Sequence, residues 1–279
     1  MAKAYRPKLS NAARPATFEV EALNERGEMV PTSIAGEHPL TLYLDKHELV
    51  TLMTLGHAPE ALAIGYLRNQ RIVGALRDIA AVQVDWETES VAITTTKKVD
   101  IRKKTAKKTV TTGCGQGTVY GDLMEEIDSV KLRDDVALAD TDLFVLLEKV
   151  RKHETIYKQA GAVHGCALAT PKGEILMFVE DVGRHNAVDA IAGFMWLDGI
   201  DGADKLFYTT GRLTSEMVIK CAQMRIPFLV SRSGLTKMGH DIARRVGLTM
   251  LGRASGRHYL AFTGQHRLQH TAPQPTAIA

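Results

Sequence analysis

The sequence predicts a layered α/β fold. From Cys166 onward, short apolar and β-branched runs alternate with stretches of helical periodicity, the pattern of a sheet covered on both faces by helices. Most of those runs hand over to the next helix through a turn rich in Gly, Ser or Thr. The chain has 279 residues, 45% of them apolar and 24% charged, which allows one large or two modest domains around ordinary cores.

Taken in order, residues 1–18 and those after Thr263 lack periodicity and mix Pro with polar residues, as mobile tails do. Between Pro39 and Leu55 apolar residues alternate, with Leu40, Leu42 and Leu44 on one face, and Pro59 stands where a helix starts. Val82–Trp86 and Val91–Thr96 read as strands. Leu143, Leu146, Leu147 and Val150 mark one helix over 141–159, which Gly161 is placed to end. A hairpin follows over Cys166–Thr170 and Ile175–Val179, then a helix from near Asn186 with that residue as a potential N-cap. Strands at 205–210, 227–231 and from 248, helices at 214–224 and 236–246, and a last strand at 257–263 complete the alternation.

Composition excludes several classes. Lys and Arg outnumber Asp and Glu only 35 to 32, so bulk attraction to nucleic acid is not expected and any anion site must come from local clustering. Three widely spaced cysteines, Cys114, Cys166 and Cys221, do not form a disulfide framework and suit a reducing compartment, so a cytoplasmic protein is expected. No run of 18 apolar residues is present, so no membrane span is expected. The sequence has no His-x-x-x-His, no Cys-x-x-Cys and no Walker loop, and no metal site is assigned.

The most informative stretch runs from Arg102 to Gly117. Five of the seven positions from 102 to 108 are basic, and Cys114 follows six residues later between Gly113 and Gly115. Nearby cations favour thiolate, and flanking glycines let the backbone expose and move the sulfur, which suits a nucleophile that must reach two partners. Cys166 opens an apolar strand, and Cys221 lies at helical spacing from Met217 and Met224, so both read as core.

A second constellation, Glu180-Asp-Val-Gly-Arg-His-Asn, ends an apolar strand. Asp181, Arg184 and His185 could orient a substrate or move a proton, or form an ion-paired turn before a capped helix. Thr209-Thr-Gly-Arg-Leu-Thr-Ser-Glu, with Arg212, and Ser231-Arg-Ser-Gly-Leu-Thr repeat the strand-to-helix turn with an arginine, as a face built for an anionic ligand would. Gly252, Arg253, Ala254, Ser255, Gly256 and Arg257 form a Gly- and Arg-rich loop between the last two strands that could cradle phosphates.

In combination, Thr-Thr-Gly-Cys-Gly-Gln-Gly, Glu-Asp-Val-Gly-Arg-His-Asn-Ala-Val-Asp, Thr-Thr-Gly-Arg-Leu-Thr-Ser-Glu-Met-Val and Ile-Pro-Phe-Leu-Val-Ser-Arg-Ser resemble the formate dehydrogenase accessory sulfurtransferase (FdhD) family, over roughly residues 37 to 263. The resemblance implies a cytidine-deaminase-like α/β/α domain at 129–265 behind a smaller amino-terminal α+β domain at 19–128, with tails at 1–18 and 266–279. It implies a homodimer that accepts sulfur from a cysteine desulfurase and passes it to the bis-guanine-dinucleotide molybdenum cofactor needed by formate dehydrogenase. By the same resemblance Cys114 matches the first position of the family's cysteine motif, and residues 252–257 match its cofactor-binding stretch. The strand-end turns add Arg184, His185 and Arg212 as further candidates for holding the cofactor. The family's second loop cysteine is replaced by Gly117, so a mechanism with two loop thiols is excluded. A non-catalytic cofactor carrier is the alternative reading. A zinc-dependent deaminase lacks its ligands and glutamate here, and fold likeness alone does not supply them.

Overall fold

The computed structural model describes residues 5–97, 99–100, 109–110, 117–118, 127, 129–153 and 155–271. They form two compact units that interleave along the chain. The first takes residues 1–129, 154–166 and 178–201; the second takes 130–153, 167–177 and 202–279. The helix-bearing segment after the Glu180 motif thus belongs with the amino-terminal strands.

In the first unit, β1 (Lys8–Leu9), β4 (His38–Leu44), β5 (His47–Thr54), β6 (Ile79–Asp85) and β7 (Ser90–Thr95) form one sheet of order β1-β6-β7-β4-β5. Alternation makes its inner face: Leu40, Leu42 and Leu44 of β4 are fully buried. β2 (Thr17–Leu23) and β3 (Met29–Ala35) form a separate antiparallel hairpin. α1 (Pro59–Asn69) starts on Pro59, whose missing N–H costs nothing in a first helical turn. The segment expected to be a mobile tail is therefore tied in: β1 pairs with β6, and Tyr5 donates its hydroxyl to the Ile79 carbonyl.

Two two-residue strands, β8 (Thr109–Val110) and β9 (Gly117–Thr118), pair antiparallel in the same unit. Cys114 falls between them and lies outside the described residues.

The helix expected over 141–159 is two. β10 (Leu138–Ala139) leads into α2 (Asp140–His153), and α3 (Ile156–Ala160) follows with Gly161 at φ +78° after it. The break has a distant cause. Glu180, at the end of β12 (Ile175–Asp181), accepts the amide protons of Thr155, Ile156 and Tyr157 at 2.9–3.1 Å, supplying a fresh helix start that no local residue announces.

β11 (His164–Ala169) precedes β12, and α4 (Arg184–Leu197) begins two residues earlier than Asn186, with Gly183 as N-cap. α4 packs on α1 through glycines: a Cβ on Gly65 would meet the Asp189 carbonyl oxygen at 1.6 Å, and one on Gly193 the Ala61 carbonyl oxygen at 1.9 Å. Asn69 Nδ2 seals the contact with a 2.7 Å bond to Asp189.

The second unit is built on the sheet of order β12-β11-β13-β14-β15-β16, to which it contributes Ala167–Ala169 of β11 and residues 175–177 of β12. β13 (Leu206–Thr209), β14 (Phe228–Ser231) and β15 (Thr249–Ser255) run parallel, connected by α5 (Ser215–Gln223) and α6 (Lys237–Val246), and β16 (His258–Thr263) closes antiparallel. The parallel strands are buried along their whole length or nearly so, as continuous apolar runs in an α/β sheet must be. β17 (Leu268–Gln269) pairs with β10. Here too the expected tail is anchored: Arg267 donates to the carbonyls of Gly247 and Arg133 and to Thr249, and pairs with Asp134 at 2.8 Å. Among the described residues no helix is long and apolar enough to cross a membrane.

Candidate functional site

The acidic pair at the end of β12 turns out to be scaffolding. Glu180 and Asp181 are both buried, and each carboxylate is saturated by neutral donors. Glu180 also accepts from the Thr155 hydroxyl. Asp181 takes one pair of bonds from Thr54 Oγ1 (2.6 Å) and the Leu55 amide, and a second pair from the Gly183 amide and Asn186 Nδ2 (2.8 Å). Burial pushes its carboxyl above the ordinary carboxylate range, and those four donors pull the other way.

Asn186 is not a cap. It is the third residue of α4, and its side-chain amide also reaches the Met53 carbonyl. Arg184 and His185 form the first turn of the same helix and are 6% and 2% exposed. A pocket of about 260 Å³ opens beside Gly183 and Asn186, with Glu37 and Met53 on its other wall.

His57 escapes any reading of the sequence. It sits half-buried between β5 and α1, and its Nδ1 has no hydrogen-bond partner among the described residues. Burial holds its pKa below the ordinary histidine value although Asp181 and Glu180 pull it up. The only local signal is its place after Gly56, at φ +75°, and before the Pro59 helix start.

In the second unit the candidate residues divide into two groups. Arg212 and Arg253 lie at the carboxyl ends of the parallel strands β13 and β15, which flank β14 in the sheet, and both are exposed. Their turns are knitted through the end of β14: Ser231 Oγ donates to the Gly211 carbonyl at 2.7 Å and accepts the Ser233 amide, while the Arg253 amide donates to the Ser233 carbonyl. The Ser231 hydroxyl is thus spent on the frame, and the arginine side chains are what the turns present. Gly252 is packed at this junction, where a Cβ would come within 3.0 Å of Phe262, and Ala254 is buried.

The stretch 252–257 is accordingly not one loop. β15 continues to Ser255 through an irregular register with β16, Arg253 takes φ +52°, and only Gly256 and Arg257 form the turn. That turn overhangs a cleft of about 510 Å³ whose floor is α2. Thr141, Phe144, Val145, Glu148 and Arg151 form the cleft stripe of α2, largely opposite the buried face of Leu143, Leu146 and Val150. Phe144 sits 6.2 Å from the Tyr259 ring, centroid to centroid. The cleft thus combines one aromatic wall with Arg151 and Arg257, suited to a planar ring carrying phosphate. Phe144 and Arg151 are missed by the sequence reading, because their helical spacing looks like an ordinary solvated face.

The two units together cover the part of the chain that known proteins share. The FdhD/NarQ family model matches residues 35–269. The chain belongs to the FdhD/NarQ family. Curated relatives in that family include the sulfur carrier protein FdhD of Listeria monocytogenes serovar 1/2a, 30% identical over 243 residues spanning 86% of this chain and 92% of the relative. That of Bacillus licheniformis is 26% identical over 250 residues, spanning 88% and 94%. A crystal structure of a candidate formate dehydrogenase accessory protein from Desulfotalea psychrophila superposes with a TM-score of 0.76 over 91% of this chain and 100% of that one, at 24% identity, and so shares the fold. Among the described residues no three His, Cys, Asp or Glu side chains gather as metal ligands would.

Proposed function

We propose that this FdhD/NarQ chain is a cytoplasmic sulfur carrier in the assembly of formate dehydrogenase. Cys114 thiolate attacks the terminal sulfur of a persulfide on a cysteine desulfurase; the desulfurase thiolate leaves, and Cys114 holds the persulfide. The terminal sulfur then passes to the bis-guanine-dinucleotide molybdenum cofactor, which is cargo, and Cys114 returns to thiolate. A homodimer is the working form.

The observation that carries this reading is the placement of the other two thiols. Cys166 and Cys221 are 0% exposed, and sulfur exchange with another protein at either would require opening the core, so the role falls to Cys114. The names of the curated relatives support the same role. The arginine side chains of Arg212, Arg253 and Arg257 offer themselves to cofactor phosphates, and the Phe144 cleft offers a wall for a guanine.

The test is intact-protein and peptide mass spectrometry after incubation with a desulfurase and cysteine. One added sulfur on the Cys114 peptide, removed by reductant and absent from Cys114→Ala, is the expected result. Nucleotide binding without added sulfur would instead indicate a carrier of the cofactor alone.

A further inference from the structure

We propose that β2 is a docking edge for an extended segment of a partner protein in which basic and apolar residues alternate. The parity of the β2–β3 ladder shows which backbone groups are available. The Gly36 amide donates to the Ala16 carbonyl at 2.8 Å, and the Asn24 amide to the Glu28 carbonyl at 3.0 Å, so even-numbered positions of the first strand bond inward. Bonded and non-bonded pairs alternate in an antiparallel ladder, and the register is unbroken from Thr17↔Ala35 to Leu23↔Met29. Phe18, Val20 and Ala22 therefore bond to β3, while Thr17, Glu19, Glu21 and Leu23 turn their N–H and C=O groups to the outer edge. Among the described residues β3 is the only strand beside β2.

The hairpin protects its other side. Pro31 pairs with Glu21, and the same parity aims its nitrogen, which bears no proton, at the outer edge of β3. A missing donor in mid-strand blocks addition there, so the open edge is β2.

Side chains say what fits that edge. Phe18 (44% exposed), Val20 (36%) and Ile34 (47%), which is opposite Phe18, leave an apolar face part-exposed. Glu19 and Glu21 project from the other face and are exposed. A second copy laying its own β2 antiparallel about Val20 would set Glu19 against Glu21 twice, and like charges directly opposite oppose pairing. A strand with Lys or Arg opposite both glutamates and apolar residues between them satisfies charge and apolar face together. β2, and β3 apart from Ala35, precede the stretch that the family model matches, so this edge lies outside what defines the family.

The test uses the full chain and a fluorescein-labelled peptide, Thr-Lys-Val-Lys-Val-Lys-Thr, followed by anisotropy at low salt. Saturable binding is expected, weakened about tenfold or more when Glu replaces Lys in the peptide. The Glu19→Lys, Glu21→Lys double variant should reverse that preference. Glu21→Pro should abolish binding with an unchanged thermal melt, since the amide of residue 21 is not used by β3. Should that variant fail to fold, a peptide N-methylated on the edge-facing amides gives the same readout and should not bind. No saturable binding of the Lys peptide, or equal binding by the charge-reversed variant, overturns the proposal. So does a dimer in sedimentation that Glu21→Pro dissolves, which would assign the edge to a second copy.

Discussion

Thr54 Oγ1 lies 2.6 Å from Asp181 Oδ2, joining the end of β5 to the end of β12 across 127 positions of sequence. The bond is buried and its acceptor carries three further donors. Thr54→Val keeps shape and removes one bond to a buried carboxylate, so a loss of about 2 kcal/mol is expected. Asp181→Ala strands the Thr54, Leu55 and Gly183 donors, while Asn186 keeps only the Met53 carbonyl, and should cost more. Urea unfolding of both variants measures the difference, and equal stability of Thr54→Val and wild type would contradict the geometry.

The glycines at the α1–α4 contact predict a steric effect. A methyl group on Gly65 or Gly193 has backbone, not a yielding side chain, in its way, so the helices must separate. Gly65→Ala and Gly193→Ala should each destabilise by roughly 3 kcal/mol, at the top of the usual overpacking range. Thermal melts check this, with Gly199→Ala, just past the carboxyl end of α4 and with open space around its Cβ, as a comparison that strains only its own turn.

His57 gives a pH dependence. Its folded pKa is lowered below the value near 6.5 that it has when unfolded, so the unfolded chain binds the proton more readily. Its contribution is fully present above that value and is lost as pH falls from about 6.5 through the lowered folded pKa. Urea midpoints at about pH 7.5 and about pH 5.5 should differ more in wild type than in His57→Gln. Parallel pH profiles would show that His57 is not the group responsible.

Much of the fold is legible in the sequence, and the failures have a common cause. Pro59 and Thr236 announce helix starts locally, and the apolar runs of β13, β14 and β15 announce buried parallel strands. The break between α2 and α3 is written in Glu180, some two dozen residues away, and the order of residues 8–23 and 264–271 depends on partners such as β6 and Asp134. Long-range acceptors and pairings of this kind leave no periodicity. The site divides the same way. Gly256 and Arg257 are visible as a turn, but nothing in the spacing of Phe144 and Arg151 says which loop covers them.

The cleft yields a binding prediction. If the cofactor's nucleotide end rests there, GDP should bind in the micromolar range, and Arg257→Ala should weaken it by about tenfold or more, the loss of one charge-assisted bond. Phe144→Ala should weaken it too, whereas Arg212→Ala tests the separate group at the strand ends. Calorimetric titrations of the three variants separate the two locations.

The cysteines predict a clean contrast. Cys166→Ala with Cys221→Ala should keep sulfur transfer while losing on the order of 1 kcal/mol at each site, since truncating a fully buried side chain leaves a cavity. Cys114→Ala should abolish transfer with little change in stability. A radiolabelled-sulfur assay beside urea melts reads both, and transfer lost in the folded double variant would defeat the single-thiol reading.

The anchoring of the carboxyl-terminal segment bears on how the molecule can be handled. Thr271 bonds Asp140 through its amide and hydroxyl, at 3.0 and 2.9 Å, and is itself part of the cleft wall beside Thr141. Whatever is joined after it departs from the rim of the very cavity a nucleotide would enter. A bulky group introduced directly after Thr271 would crowd that rim in a titration. A small fluorophore placed there becomes a proximity sensor, reporting occupancy of the cleft without altering a residue that lines it.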